Sequence, residues 1–237
     1  MKAKKISIVI PVFNEEETID RIIKAVKKAR VFGLKKEIIV VDDCSTDKTS
    51  TILSKLSEKE VKILSHSWNK GKGAALRTGL KVATGDIIVI QDADLEYDPA
   101  DYPRLIEPIL KNKAEVVYGS RFAGRNPHRV LYFWHYLGNK ILTTFSNVLT
   151  NLNLTDMETG YKVFTRRVKD KILPCLTSNR FGIEPEMTAL VAKLKVPIYE
   201  VGISYHGRTY QEGKKINWKD GLLAFWYVLK YNCFCKK

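Results

Sequence analysis

The stretch Asp86-Ile-Ile-Val-Ile-Gln-Asp92-Ala-Asp94-Leu-Glu96 decides how this chain folds. Residues 87–91 form an almost unbroken apolar run, which is typical of a strand buried on both faces of a parallel sheet. Asp92, Asp94 and Glu96 follow at alternate positions, and three such carboxylates repel each other unless a cation or hydrogen bonds compensate them. Their oxygens suit a hard divalent ion, Mg²⁺ or Mn²⁺, that keeps open positions for phosphates. The stretch therefore predicts a metal site, with a solvated acidic turn as the alternative.

Outward from this strand, apolar strands alternate with amphipathic helices. Strands are predicted at 6–10, 37–41 and 61–64, and helices at 16–31, 49–56 and 71–82. This alternation is typical of right-handed βαβ units, and therefore of an α/β domain with a mostly parallel sheet flanked by helices. Further along, the pattern predicts a helix from 181 to 194, a strand at 197–201, a polar loop at 205–215 and a last helix from Asn217.

Polar residues end each of the first strands, as Asn14-Glu15, Asp42-Asp43 and Asp92-Ala-Asp94. All are expected on one rim, because open α/β sheets bind ligands beyond the carboxyl ends of their strands. A nucleotide-sugar fits such a rim, since a carboxylate can accept from a base or ribose and a metal can bridge the diphosphate. A dinucleotide fingerprint is not met: Gly71 and Gly73 are followed by Leu76, where that motif needs its third glycine. For Lys70, Lys72 and Arg77, each taken alone, a solvated helix face is the favoured interpretation.

Composition and charge indicate a globular protein with an anionic partner. The 237 residues are 45% hydrophobic and 28% charged, which suits one folded domain. The net charge is +14, of which +11 belongs to residues 119–237. This excess favours phosphate, acidic lipid headgroups or nucleic acid as a partner. Nucleic acid is the least favoured, because no aromatic-basic motif of a known binding module is present.

Cysteine usage and hydropathy predict a cytoplasmic protein. Cys44, Cys175, Cys233 and Cys235 lack zinc spacing and resemble reduced thiols. No signal peptide opens the chain, and no stretch reaches the roughly 20 apolar residues that span a bilayer. Lipidation of the tail is possible in principle, but an inert tail is the favoured interpretation.

Two segments suggest peripheral attachment to an anionic membrane. Residues 130–155 carry one Lys or Arg and no Asp or Glu, and contain five of the chain's Phe, Trp and Tyr residues. They follow Arg121, Arg125 and Arg129, so a basic cluster borders an apolar helix. This combination suits a phosphate headgroup at a membrane surface, with a core helix as the alternative. The last helix looks interfacial as well, with apolar and basic residues that include Leu222, Phe225, Trp226, Leu229 and flanking lysines.

The motifs, taken in order, resemble the family 2 glycosyltransferases of GT-A fold. These are Pro11-Val-Phe-Asn14-Glu15, Val41 to Asp47, Asn69 to Ala75 and Asp92-Ala-Asp94. Val117 to Phe122 and Asp156 to Phe164 resemble the branch of dolichyl-phosphate mannose and glucose synthases. The resemblance covers about residues 5–220. It implies a single Rossmann-like GT-A domain at 1–216, with a nucleotide-sugar half at 1–120 and an acceptor half at 121–216, followed by an amphipathic helix and tail at 217–237.

The resemblance also implies roles for matching residues. The base and ribose would contact Pro11, Asn14, Glu15 and Asp43, and Lys72 would join this nucleotide-sugar-binding set. Asp92 and Asp94 would hold the diphosphate and its metal, with Glu96 as a further ligand where family members often carry Gln. Arg121 and Arg208 would grip the acceptor phosphate or the diphosphate, as the guanidinium fork favours. A surface ion pair is the alternative for either arginine.

The function that follows is a metal-dependent, inverting transfer of a hexose, mannose or glucose, from GDP-mannose or UDP-glucose to a polyprenyl or dolichyl phosphate. A phosphate acceptor is already ionised, so it needs no strong base. The alternative is a sugar hydroxyl acceptor, for which a carboxylate must take the proton, and Asp156 or Glu186 is the candidate. Two further hypotheses are a nucleic-acid-binding protein, disfavoured because no known binding motif is present, and an inactive membrane-docked scaffold, which the intact acidic motif disfavours.

Overall fold

A seven-stranded sheet forms the centre of the structure, a computed structural model that describes residues 3–56, 61–124, 130, 132–207 and 218–234. The strands are β1 (Lys5–Val12), β2 (Lys35–Asp42), β3 (Val61–Ser65), β4 (Ile87–Ile90), β5 (Val116–Ser120), β6 (Lys162–Thr165) and β7 (Ile198–Gly202). Their order is β3-β2-β1-β4-β6-β5-β7. Strand β6 runs antiparallel to both neighbours, and the other pairs are parallel. The prediction of a mostly parallel sheet is confirmed.

Helices cover both faces of this sheet. They are α1 (Ile19–Lys28), α2 (Thr49–Ser54), α3 (Lys72–Val82), α4 (Tyr102–Leu110), α5 (Phe133–Thr150), α6 (Arg166–Ile172), α7 (Ile183–Lys193) and α8 (Trp218–Leu229). Apolar residues of α1, α2 and α4 pack on one face, and those of α3, α6 and α7 pack on the other. The predicted helix at 16–31 is shorter than expected, because the amides of Thr18 and Ile19 both donate to Glu15 O in a turn.

Strand β4 is buried on both faces, as its apolar run predicts. Ile87 and Val89 belong to one core layer, and Ile88 and Ile90 belong to the other. Gln91 follows the strand directly, and its buried Oε1 accepts hydrogen bonds from two tyrosine hydroxyls at 2.9 and 2.7 Å, those of Tyr102 and Tyr161. This anchored amide fixes the point at which the chain leaves the sheet, and therefore the position of Asp92.

A separate layer is formed by α5 and α8. The Phe145 and Phe225 rings lie 5.7 Å apart, so part of the aromatic-rich segment is core, as the alternative interpretation expected. Other apolar side chains of this layer are exposed, and we call them the aromatic face: Phe133, Trp134, Ile141, Val148, Leu223 and Trp226. Within the described ranges, no helix combines the length and the apolar character needed to cross a membrane. Asn217, the side chain of Leu222, Arg125, Arg129 and Cys235 lie outside what the structure describes.

Candidate active site

The loops after β1 and β2 meet at one rim of the sheet, as predicted. The backbone amide of Thr46 donates to Asn14 Oδ1 at 2.7 Å, and the amide of Asn14 donates to Ser45 Oγ at 3.0 Å. Asn14 adopts a left-handed conformation with φ of 52°, which Asn tolerates better than most residues. Pro11 is buried within β1, and the amide of Glu15 donates to Thr49 Oγ1 at 2.9 Å. Asn14 thus ties the two loops into one wall of the site.

Asp43 is buried behind this wall and holds the start of α3. Its Oδ1 accepts from the amide of Lys70 at 2.9 Å, and its Oδ2 accepts from the amide of Gly71 at 2.6 Å. His66 Nδ1 lies 2.6 Å from the same carboxylate. Gly71 has φ of +95°, which favours glycine, and a side chain there would collide with Asn179 O. Asp43 therefore shapes the rim through its backbone partners, and its contact with a base stays a prediction.

Lys72 lies between two carboxylates at the end of β4. Its Nζ is 2.9 Å from Asp92 Oδ1 and 2.8 Å from Glu184 Oε1. Burial opposes the charge, but Asp92 and Glu184 outweigh it and raise the pKa of Lys72 well above its usual value. Arg77 Nη1 donates to Ser178 O at 2.9 Å, so it too is engaged. The interpretation of a solvated helix face is wrong for both Lys72 and Arg77.

The acidic motif is compensated by the cation and the hydrogen bonds that its charge requires. Asp92 pairs with Lys72, Asp94 Oδ1 accepts from the amide of Glu96 at 3.2 Å, and Glu96 Oε2 accepts from the Tyr205 hydroxyl at 3.0 Å. Over the described part of the chain, no group of three His, Cys, Asp or Glu side chains is placed to hold a metal. The expected third ligand, Glu96, is therefore not gathered with Asp92 and Asp94.

Arg121 follows β5 and forms a buried fork with Asp156. Its Nε donates to Asp156 Oδ2 and its Nη2 donates to Oδ1, both at 2.7 Å, and its backbone amide adds a bond of 3.0 Å. Burial opposes the charge, but Asp156 outweighs it and raises the pKa of Arg121 well above its usual value. The guanidinium also lies 5.3 Å from the Tyr205 ring centroid. Arg121 is thus a fixed cation and not a surface ion pair, whereas Arg208 lies outside the described residues.

Both candidate bases have their oxygens occupied by protein donors. Asp156 is fully buried and bound by Arg121. Glu186 accepts from the amide and hydroxyl of Thr177 at 2.9 and 2.6 Å, and from the amide of Ser178 at 2.8 Å. Glu186 therefore holds the turn before α7, whereas Glu184 binds Lys72. Residues two apart in a helix lie about 200° apart, so only one of Glu184 and Glu186 faces the rim.

Three charged residues at the site were not singled out from the sequence: Glu158, Lys162 and Glu184. Lys162 is buried, and its Nζ donates to Met157 O at 3.0 Å and to Thr159 O. Burial lowers the pKa of Lys162 to about 8. A side chain on Gly160 would collide with Asp92 Oδ2, so this loop packs directly against the acidic motif. Two signals in the sequence could have identified them: the motif Asp156 to Gly160, and the position of residues 184 and 186 on different sides of a predicted helix.

Comparison with known proteins decides the family. The model of glycosyl transferase family 2 matches residues 7–173 of this chain. The chain is a family 2 glycosyltransferase. The resemblance seen in its motifs is thereby confirmed.

Two relatives match this glycosyltransferase along most of its length, and a third matches half of it. An uncharacterized protein of Methanocaldococcus jannaschii is 30% identical over 97% of this chain and 93% of its own. The UDP-N-acetylglucosamine–dolichyl-phosphate N-acetylglucosaminyltransferase of Methanococcus voltae is 28% identical over 97% and 96%. The dolichol-phosphate mannosyltransferase of Pyrococcus furiosus is 40% identical, but over 50% of this chain and 33% of its own. These relatives support the dolichyl-phosphate sugar transferase branch.

Solved structures confirm the fold of the glycosyltransferase. Glucosyl-3-phosphoglycerate synthase of Mycobacterium tuberculosis, in complex with Mn²⁺, UDP and phosphoglyceric acid, superposes with a TM-score of 0.72 at 22% identity, covering 99% of this chain and 80% of that one. A complex of the same enzyme with Mg²⁺ and UDP also has a TM-score of 0.72. The GT-A prediction is confirmed, and a likeness at this identity extends to the fold alone.

The residues of this glycosyltransferase fit a divalent ion held jointly with substrate. Mg²⁺ is usually bound by one or two carboxylates together with substrate phosphates, and does not need an all-protein cage. Asp92 and Asp94 offer carboxylate oxygens at the rim, and those of Asp92 are paired with Lys72. Glu96 already accepts a hydrogen bond from the Tyr205 hydroxyl. It is therefore better suited to support the metal ligands than to bind the metal directly.

Proposed function

We propose that this glycosyltransferase moves a hexose from a nucleoside diphosphate sugar to a polyprenyl phosphate, with inversion and with a divalent ion. One observation carries the choice of acceptor. The two carboxylates expected as bases, Asp156 and Glu186, each accept three hydrogen bonds from the protein, whereas Arg121 is held cationic beside Asp156. A site that offers a fixed cation and no free base among these residues suits an acceptor that is already ionised.

The names of the relatives support a lipid-phosphate acceptor but not one sugar. Dolichyl or dolichol phosphate appears in the names of the Methanococcus voltae and Pyrococcus furiosus enzymes. The sugars in those names are N-acetylglucosamine and mannose, and a relative from Dictyostelium discoideum is named as a glucosyltransferase. Mannose from GDP-mannose or glucose from UDP-glucose remains our proposed transfer, and UDP-N-acetylglucosamine belongs in any test.

The mechanism assigns each charged group one task. Asp92 and Asp94 would hold a divalent ion, which would supply positive charge to the leaving diphosphate. Lys72 places a second positive charge beside Asp92, and Glu184 keeps that ammonium oriented. Arg121 holds the acceptor phosphate, whose oxygen attacks the anomeric carbon from the side opposite the diphosphate. No proton has to be removed, because the attacking oxygen is already anionic at neutral pH.

The aromatic face supports attachment to an anionic membrane, where a polyprenyl acceptor resides. Trp134 and Phe133 are 77% and 63% exposed on α5, and Trp226 is 53% exposed on α8. Contiguous exposed apolar side chains of this kind mark interaction sites. The +11 charge of residues 119–237 adds attraction to acidic headgroups. We propose that the protein binds the cytoplasmic leaflet peripherally and reversibly.

A transfer assay tests the proposed function directly. GDP-mannose, UDP-glucose and UDP-N-acetylglucosamine are each incubated with a short-chain polyprenyl phosphate and Mn²⁺ or Mg²⁺, and with the corresponding polyprenyl alcohol as control. We expect one donor to give a lipid-phosphate sugar, and excess chelator to stop its formation. Transfer to the alcohol or to free sugars in preference to the phosphate would contradict the proposal.

A further inference from the structure

A cavity of about 810 Å³ lies between the start of α3, the loop before α7 and the end of α8, and we call it the basic cavity. Its described lining residues include no Asp or Glu but four Lys or Arg: Lys70, Arg77, Arg180 and Lys230. Asp92, Asp94 and Arg121 are not among them, so it is separate from the candidate active site. Its volume is usual for a small-molecule site, and its charge selects an anion.

The wall formed by the loop before α7 is held in place by α3. The Arg77 guanidinium donates to Ser178 O at 2.9 Å and to Asn179 Oδ1 at 2.6 Å. On the side of α8, the rings of Tyr227 and Tyr231 are stacked, with their centroids 6.1 Å apart. The basic cavity is therefore preformed, as ligand pockets usually are.

Three cations of the basic cavity have no ion-pair partner among the Asp and Glu residues that the structure describes. They are Lys70, Arg180 and Lys230. The ammonium groups of the two lysines lie 4.3 and 5.2 Å from the ring centroids of Trp68 and Tyr231. Each ammonium has three N–H donors, so a ring contact leaves donors for an anion. Three such cations around one cavity favour an anion with several acceptor oxygens, such as a phosphate.

Exposed aromatic side chains border the basic cavity and indicate where this phosphate comes from. Trp68 lines the cavity, Phe181 follows Arg180, and both rings are more than half exposed. On α8, Tyr227 lines the cavity and its neighbour Trp226 belongs to the aromatic face. Aromatic rings at the level of phosphate-binding cations are typical of a membrane–water interface. This border favours a lipid headgroup over a soluble phosphate compound.

We propose that the basic cavity binds the phosphodiester headgroup of an anionic phospholipid. The inference rests on the membrane attachment proposed above and adds a defined headgroup site to the general attraction that the net charge supplies. Arg180 and Lys230 belong to two separate elements, the loop before α7 and the end of α8. A headgroup bound by both therefore holds the enzyme in one orientation on the membrane.

A double variant, Arg180→Gln with Lys230→Gln, removes two of the free cations but keeps part of each side chain for packing. The matched control is Lys28→Gln with Arg30→Gln, which removes the same charges from exposed positions at the end of α1, on the opposite face of the sheet from α7. Sedimentation compares vesicles of phosphatidylcholine alone with vesicles that also contain phosphatidylglycerol. On the latter we expect the cavity variant to bind at least about tenfold more weakly than the wild type, and the control to lose less than about threefold.

A second measurement uses no membrane. Dihexanoyl-phosphatidylglycerol, kept below its micelle concentration, should shift the backbone amide resonances of residues 178–180 in the wild type but not in the cavity variant. If the double variant fails to fold, Arg180→Gln alone is used, with a smaller loss expected.

Three results would overturn the proposal. Equal losses in the two double variants would show that only net charge matters, and unshifted amides at 178–180 would show that no headgroup binds there. The same shifts with inorganic phosphate or UDP at equal concentration would indicate a site for soluble anions. Failure of the wild type to bind any vesicle would instead refute membrane attachment itself. Neither measurement contains a sugar nucleotide or a polyprenyl phosphate, so failure of the transfer assay leaves both results intact.

Discussion

At the scale of single residues, the site depends on cationic side chains that pair with carboxylates of the protein itself. Lys72 bridges Asp92 and Glu184, and Arg121 binds Asp156 through both of its oxygens. Breaking a buried pair by removing one partner is strongly destabilising, because the other charge stays buried. Substitutions at these positions therefore have to be judged for folding as well as for rate.

Asp94 is the acidic residue whose loss should affect chemistry without affecting folding. We expect Asp94→Ala to lower transfer by at least about 100-fold, because a metal contribution of several kcal/mol depends on its carboxylate. Its unfolding temperature should stay close to that of the wild type, since Asp94 lies at the rim and not in the core. Asp20→Ala on α1 is the control. Full activity of Asp94→Ala, or of the wild type with excess chelator, contradicts metal dependence.

Arg121 distinguishes the two acceptor classes. On a polyprenyl phosphate, Arg121→Ala should lower kcat/KM by about 10- to 150-fold, the loss of one charge-assisted hydrogen bond. Arg77→Ala is the matched control, because its guanidinium also binds protein oxygens but lies away from Asp156.

Arg208→Ala should behave like Arg121→Ala, while Asp156→Asn and Glu186→Gln should keep much of their activity per folded molecule. A hydroxyl acceptor would reverse this order, since losing a base costs about 100- to 10,000-fold. A dead carboxylate variant beside nearly normal arginine variants would therefore rule out the lipid-phosphate acceptor.

Glu158 should make stability depend on pH. Its pKa is raised to about 7 by burial, by Glu184 and by Asp156, against the opposing charges of Lys162 and Arg121. Between about pH 4.5 and 7 the unfolded chain loses this proton while the folded chain keeps it, so stability falls as pH rises. Glu158→Gln cannot ionise, and its advantage over the wild type should grow by about 1–3 kcal/mol from pH 5 to pH 8. Urea unfolding without metal or nucleotide measures this, and parallel curves would contradict it.

At the scale of secondary-structure elements, α5 and α8 form a layer whose inner side is core and whose outer side is apolar. Leu142, Met157 and Val228 pack inside, and the aromatic face lies outside. The sequence predicted both possibilities for the aromatic-rich segment, and the structure divides its residues between them. Hydropathy alone could not make that division, because it depends on where α8 packs.

Trp134 should contribute to membrane binding through this face. We expect Trp134→Ser to weaken binding to vesicles of phosphatidylcholine and phosphatidylserine by about 5- to 30-fold, from the loss of about 1–2 kcal/mol of burial. Tyr199→Ser, which removes a 43% exposed aromatic from β7, is the control and should bind normally. Vesicle sedimentation at low and high salt measures both. Equal effects of the two variants would remove the aromatic face from the interaction.

At the scale of the whole molecule, the sequence predicted what local patterns encode. Strands buried on both faces appear as apolar runs, and the polar residues after them had to share a rim, so β1 to β4 and the acidic motif were found. Strand β6 and its antiparallel direction were not predicted, because a four-residue strand such as Lys162–Thr165 carries no signal for its neighbours. Pairs such as Lys72 with Glu184 join residues far apart in sequence. They can be identified only when the packing of the helices is known.

The position of β6 has a consequence for biosynthesis. This strand lies between β4 and β5, although it follows both in the chain. While the polypeptide is being made, β4 has an open edge until residues 162–165 leave the ribosome. An exposed, fully apolar strand is a site for pairing with other chains. We therefore expect the nascent enzyme to be prone to pairing with other chains until its second half emerges.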